Sequence, residues 1–145
     1  MILYADSSAL AKRYISEPGS REVEALLREA EVVGTGLITR AEVSAAVARL
    51  VRTRSLKRTE GEAILKAFRK LWSELTAIQL TEAVVAEADN LAWEQGLRGY
   101  DAVHLASAMS WQRGLDRDVT LATFDVDLWE AGQHVGLGIW PESLE

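Results

Sequence analysis

The stretch ILYADSSALAKRYISEPGS, residues 2–20, joins a short apolar segment directly to an aspartate, Asp6. Its first four residues have the composition of a buried strand, and helical spacing begins at Ser8 and continues to Ile15, before the Pro18-Gly19 turn. An aspartate at the end of a strand can be a turn residue or a helix cap, or it can belong to a functional site. The remainder of the chain has to distinguish these alternatives.

Length and composition predict one globular domain that spans residues 1–145. Apolar residues make up 48% of the chain and charged residues 26%, which is ordinary for a globular protein. The absence of cysteine excludes a disulfide framework and a thiolate metal site. We find no apolar run of about 18 residues and no signal-peptide pattern at the N-terminus, so we expect a soluble, cytoplasmic protein without a membrane span.

The charge is unevenly distributed along the chain. The formal net charge is −6, yet the segment Arg49–Lys70 contains eight basic and two acidic residues. This basic segment therefore carries +6, and the remaining residues carry −12. It is either a solvated surface of a helix–loop–helix or a basic rim beside an acidic body, and a basic rim would suit a polyanionic substrate.

The chain alternates short apolar segments with amphipathic ones. We predict further strands at VVGTGL, AIQL, VTLATF and VGLGIW, the last at an edge of the sheet. Helices are predicted over Ser20–Ala30, Thr39–Arg54, Thr59–Leu75, Thr81–Gln95 and about 100–114, with a turn of helix at DLWEA. This order predicts an α/β fold, with a short, mainly parallel five-stranded sheet covered by helices on both faces. Ligands of such sheets bind outside the carboxyl ends of the strands.

Acidic residues occupy those positions. They follow strands or begin helices at Asp6, Glu42, Asp101, Asp125 and Asp127. Asp6 and Asp125 could be helix N-caps, Thr39 and Glu42 fit a capping box, and Asp101 could complement a helix dipole. However, all the predicted placements converge on one edge of the sheet, where carboxylates repel each other unless a cation lies among them. Hard divalent cations such as Mg²⁺ prefer these oxygen ligands.

Four segments in this order resemble the motifs of PIN-domain ribonucleases, especially VapC-type toxins of toxin–antitoxin pairs. They are ILYADSSALAKRYISEPGS, TRAEV, YDAVHLASA and LATFDVDL, and their order matches over essentially the whole chain. The resemblance implies an endoribonuclease that depends on Mg²⁺ or Mn²⁺, a small cognate antitoxin and a homodimer. The alternative is a PIN-like module that binds RNA or protein without cutting it.

The same resemblance assigns residues to the site. It implies that Asp6, Glu42, Asp101 and Asp125 are the catalytic, metal-binding acids, supported by Ser7 and Thr123. The sequence departs from the family pattern at two positions. Phe124 stands where the family often has a polar residue, and Leu128 stands where it usually has Phe. These departures leave open whether Asp125 or Asp127 is the fourth acid.

The residue types agree with this chemistry, because phosphodiester hydrolysis needs an in-line water and a cation that lowers its pKa. Acids alone cannot approach a polyanion, whereas acids bridged by a divalent cation can. His104 shares a helix face with Asp101, and we interpret it as a structural residue because Mg²⁺ prefers oxygen ligands. Trp72 and Trp93 fall at core-like helical positions.

Overall fold

The computed structural model describes residues 1–144. Within them, five strands form one sheet and seven helices surround it. The strands are β1 (Ile2–Ala5), β2 (Val32–Gly36), β3 (Thr76–Ile78), β4 (Val119–Ala122) and β5 (Gly138–Trp140). The helices are α1 (Ser7–Tyr14), α2 (Ser20–Glu29), α3 (Thr39–Arg52), α4 (Arg58–Trp72), α5 (Glu82–Gln95), α6 (Gly99–Leu115) and α7 (Val126–His134).

The sheet has the strand order β3-β2-β1-β4-β5, and every adjacent pair is parallel. The predicted α/β class and the five strands are therefore confirmed, and the sheet is entirely rather than mainly parallel. From the central strand β1, the chain first builds one side of the sheet and then crosses to β4 on the other side. The strand order consequently reverses beside β1, and ligands of open α/β sheets bind at such a point.

The central strand β1 is buried on both faces, because its side chains alternate between two cores. Ile2 and Tyr4 lie in the core built with α5, α6 and α7. Leu3 and Ala5 lie in the core built with α1 and α2. Helices therefore cover both faces, as predicted, and β1 ends between the two layers.

Helix and strand boundaries differ from the prediction by up to three residues, and α7 is a full helix rather than a single turn. The proposed capping box at the start of α3 is wrong. Ile38 is the N-cap residue of this helix and makes no side-chain cap hydrogen bond. The hydroxyl of Thr39 instead accepts a hydrogen bond from the hydroxyl of Thr35 in β2 (2.8 Å), which leaves Glu42 free to turn toward α6.

The predicted core position of Trp93 is also wrong, because this side chain is 89% exposed. Helix α5 buries Val84, Ala88 and Leu91, and Trp93 lies two residues, about 200° of helix rotation, beyond Leu91. Trp72 is partly buried beside Phe68, with ring centroids 5.8 Å apart.

The basic segment forms the end of α3, the following connection and most of α4. Its apolar residues hold the two helices together: a Cβ atom at Gly61 would lie 2.8 Å from a methyl of Val51, so only glycine permits this close approach. The basic side chains from Arg52 to Arg58 are exposed. Among the described residues, no helix is both long and apolar enough to span a membrane.

Candidate active site

Asp6 follows β1 directly and is buried, with 3% of its surface exposed. Its Oδ1 accepts hydrogen bonds from the backbone amide of Ala9 (2.9 Å) and the hydroxyl of Ser8 (2.7 Å). Its Oδ2 accepts a hydrogen bond from the hydroxyl of Thr123 (2.6 Å). Burial raises the pKa of Asp6, although the nearby His104 and these hydrogen bonds act in the opposite direction. Asp6 is therefore the N-cap of α1 and also a buried carboxylate at the end of the central strand.

Ser8 and Thr123 connect the ends of β1 and β4. The hydroxyl of Thr123 accepts a hydrogen bond from the backbone amide of Asp125 (3.1 Å), and the hydroxyl of Ser8 accepts one from the amide of Phe124 (3.0 Å). Thr123 thus lies where the sequence predicted a supporting residue. Ser8, which the sequence did not single out, also donates a hydrogen bond to Asp6, and the supporting role of Ser7 stays a prediction. Both serines directly follow Asp6, and only the packing of α1 beside the end of β4 distinguishes them.

Asp125 and Asp101 share one cation, the guanidinium of Arg98. Oδ1 of Asp125 caps α7 at the amide of Leu128 (3.0 Å), and its Oδ2 accepts a hydrogen bond from Nη2 of Arg98 (3.0 Å). Nε of Arg98 lies 3.5 Å from Oδ2 of Asp101. Asp127 is exposed on the first turn of α7. Of the two candidates for the fourth acid, Asp125 is therefore the one that lies beside Asp101.

Asp101 is largely buried, with 14% of its side chain exposed. Burial raises its pKa, the carboxylates of Asp125 and Asp6 raise it further, and Arg98 opposes them. Within the described part of the chain, its Oδ2 is a buried oxygen without a hydrogen-bond partner. A buried carboxylate oxygen without a hydrogen bond is costly, and Arg98 offsets its charge from 3.5 Å without bonding to it, so the lone pairs of this atom are free to bind a divalent cation.

Glu42 is held by a buried chain of hydrogen bonds. Nε2 of His104 lies 2.6 Å from Oε1 of Glu42, and Nδ1 lies 2.8 Å from the hydroxyl of Tyr4. In a neutral imidazole that donates from Nε2 to the carboxylate, Nδ1 accepts the proton of the tyrosine hydroxyl. Burial lowers the pKa of His104, but the Glu42 hydrogen bond and the Asp6 carboxylate outweigh this effect and raise it.

His104 is accordingly a satisfied buried residue, as predicted, but the sequence did not reveal that Glu42 is its partner. The two residues are 62 positions apart. Arg98 was also missed as the bridge between two acids; its position three residues before Asp101 was the only local signal.

Four carboxylates, those of Asp6, Glu42, Asp101 and Asp125, are called the acid group below, because each influences the pKa of Asp101 or of His104. Asp6 and Asp125 both raise the pKa of Asp101, while Asp6, Glu42 and Asp101 all act on His104. In the described residues, however, no three His, Asp or Glu side chains are arranged closely enough to hold a metal ion. Three of the carboxylates are directed toward donors in the protein. Their oxygens are the ligand type that Mg²⁺ and Mn²⁺ prefer, and side-chain rotation would be needed to bring them together.

These features define a class of α/β domain in which buried and partly buried acids lie where the strand order of a parallel sheet reverses. Helices α3 and α6 contribute two of the acids, and the ends of β1 and β4 contribute the others. The chain belongs to the PIN domain family, whose sequence profile matches residues 3–132. The resemblance drawn from the four motifs is thereby confirmed.

Known relatives cover the chain almost completely. Ribonuclease VapC45 from Mycobacterium tuberculosis is 30% identical over 144 residues, which are 99% of this chain and 98% of that protein. The crystal structure of FitAcB from Neisseria gonorrhoeae is similar with a TM-score of 0.66 and 20% identity, covering 95% of this chain and 96% of that one. The crystal structure of VapBC2 from Rickettsia felis, bound to a DNA fragment from their promoter, has a TM-score of 0.64 at 18% identity. The match covers 97% of this chain and 99% of that one.

Proposed function

We propose that this protein is an endoribonuclease that hydrolyses RNA phosphodiester bonds with Mg²⁺ or Mn²⁺ and that it is the toxin of a type II toxin–antitoxin pair. The observation that carries the proposal is the group of four acids at the reversal of strand order, in which Asp6 is buried and an oxygen of Asp101 has no hydrogen-bond partner. The relatedness to a ribonuclease over nearly the full chain supports RNA as the substrate.

In this proposal, Asp6, Asp101 and Asp125 hold the divalent cation, and Glu42 is a further ligand or orients the attacking water. A bound cation would lower the pKa of a water and stabilise charge on the phosphate oxygens. Thr123 and Ser8 orient Asp6 through the hydrogen bonds that both hydroxyls donate to it. His104 fixes the direction of Glu42 through the contact between its Nε2 and Oε1 of Glu42.

We further propose a small antitoxin as partner, a homodimer and a cytoplasmic location. A solved structure with a similar fold is a toxin–antitoxin complex from Klebsiella pneumoniae, which supports the first of these. A basic side chain of an antitoxin could neutralise the acid group in the same way that Arg98 does within this chain.

The test is metal-dependent cleavage by the purified protein without antitoxin. Structured and single-stranded RNAs are incubated in EDTA and after Mg²⁺ or Mn²⁺ is restored, with Asp101→Asn as the inactive variant and Asp127→Asn as the exposed-acid control. We expect cleavage only with metal, and only by the wild type and the control. Cleavage that persists in EDTA or in Asp101→Asn contradicts the proposal, and tight RNA binding without cleavage of any RNA would favour the non-catalytic alternative.

A further inference from the structure

Arg98 pairs with two of the four members of the acid group, Asp101 and Asp125. Its side chain is 75% exposed, whereas those of Asp101 and Asp125 are 14% and 24% exposed. It precedes α6 as the N-cap residue and makes no side-chain cap hydrogen bond. The guanidinium is therefore not needed to begin the helix, and its position is explained by the two carboxylates.

We propose that Arg98 is a displaceable counter-ion: its guanidinium competes with the divalent cation for Asp101 and Asp125, and once displaced it binds a backbone phosphate of the RNA. This inference rests on the proposed metal-dependent function. Arg98 then contacts the substrate, and its contacts with Asp101 and Asp125 must open before the metal site can form.

Competition follows from the way the oxygens of Asp125 are used. Oδ1 caps α7 at the amide of Leu128, so Oδ2 is the oxygen that can turn to a metal, and this oxygen accepts the hydrogen bond of Arg98. At Asp101, Nε of Arg98 lies 3.5 Å from Oδ2, too far for a good hydrogen bond. The guanidinium thus offsets the negative charge of both carboxylates but makes a hydrogen bond only to Asp125.

Displacement is inexpensive because Arg98 is exposed. An ion pair with an exposed side chain contributes little to stability, and the guanidinium, already 75% exposed, is readily solvated by water when it leaves the two less exposed carboxylates. A divalent cation between two carboxylates has twice the charge of a guanidinium and no side-chain entropy to lose. The released guanidinium stays beside the acid group, and its planar donors match the geometry of a phosphate.

The experiment compares Arg98→Gln with Arg98→Lys and with Arg117→Gln as a matched control. Arg117 also pairs with an exposed carboxylate, that of Glu31. Both residues lie just before a strand begins, whereas the acid group lies where strands end, so this pair does not contact the acid group. The affinity for Mn²⁺ is measured by electron paramagnetic resonance, and the melting temperature is measured in EDTA and in Mn²⁺. RNA binding is measured in Ca²⁺ as a function of salt.

We expect Arg98→Gln to bind Mn²⁺ about two- to fivefold more tightly than the wild type, since the guanidinium that competes for Asp101 and Asp125 is lost. Its melting temperature should fall in EDTA and its gain with Mn²⁺ should increase. RNA binding should weaken, and the slope of log affinity against log salt should decrease by about 0.7, the value for one phosphate contact with a single strand. For Arg98→Lys, each of these quantities should lie between the values for the wild type and for Arg98→Gln. Arg117→Gln should match the wild type in Mn²⁺ affinity and in RNA binding.

Unchanged or weaker Mn²⁺ binding in Arg98→Gln, while the wild type binds Mn²⁺, overturns the competition and leaves the proposed function intact. An unchanged salt slope overturns the phosphate contact. If neither protein binds Mn²⁺, the proposed metal site is wrong and the inference is wrong with it.

Discussion

Replacing Asp6 by Asn should stabilise the metal-free protein and abolish its stabilisation by metal. The carboxylate is buried beside other acids, and burial raises its pKa, so the ionised form is unfavourable in the folded state at neutral pH. Asparagine can still accept the hydrogen bond from the amide of Ala9, because it is itself a good N-cap residue. Removing an unfavourable charge from a functional site commonly raises stability by about 0.5–2 kcal/mol.

The size of the effect on melting follows from the chain length. At about 2.1 cal/mol/K per residue, a chain of 145 residues has an unfolding entropy of about 0.3 kcal/mol/K. Asp6→Asn should therefore raise the melting temperature in EDTA by about 2–7 °C. Wild type with Mn²⁺ at about 100 times its dissociation constant should gain about 2.7 kcal/mol, or about 9 °C, whereas the variant should gain little.

The effect should also depend on pH in a defined direction. Because the pKa of Asp6 is raised in the folded state, its contribution to stability is fully present below the unfolded pKa and is lost as the pH rises through the folded pKa. The advantage of Asp6→Asn in EDTA should consequently be largest near neutral pH and should disappear in acid.

Differential scanning calorimetry in EDTA and in excess Mn²⁺ measures these shifts. Thr81→Ala is the matched control, because Thr81 caps α5 at the amide of Val84 and is outside the acid group. This variant should lose about 0.5–2 kcal/mol with and without metal. If Asp6→Asn also melts lower in EDTA and keeps the wild-type Mn²⁺ shift, Asp6 is only a helix cap and our reasoning about the site is wrong.

Four further predictions concern other parts of the molecule. His104→Phe should reduce the Mn²⁺-induced rise in melting temperature, because Phe keeps a ring but has no N–H to donate to Glu42; an unchanged rise would exclude this positioning role. Asp125→Asn should lose most of the calorimetric Mn²⁺ shift, and Asp127→Asn should keep it. Gly36→Ala should lower the free energy of unfolding in urea by about 1–3 kcal/mol, since its Cβ would lie 2.6 Å from a buried tyrosine hydroxyl. Neutralising the exposed basic side chains between α3 and α4 should weaken RNA binding and flatten its salt dependence; loss of antitoxin binding alone would assign this surface to the partner.

Local sequence patterns determined the order of strands and helices and the α/β class. A strand or an amphipathic helix can be recognised from the spacing of apolar residues that are close in sequence. Acids that directly follow parallel strands lie at one edge of the sheet. Asp6, Asp101 and Asp125 were predicted to lie at this edge, and in the structure the carboxylates of Asp6 and Asp125 are near enough to raise the pKa of Asp101, although the described side chains do not form a metal site without rotating. Their catalytic roles stay predictions.

Only the tertiary structure decided which side chains contact each other. The partner of Glu42 is His104, 62 residues away, and the bridge from Arg98 to Asp125 spans 27 residues. Such contacts depend on where the sheet places distant elements and on the rotation of each helix about its axis. The rotation of α5 likewise exposes Trp93, although its spacing predicted a core position. Periodicity reports which residues share a face, whereas packing determines what that face meets.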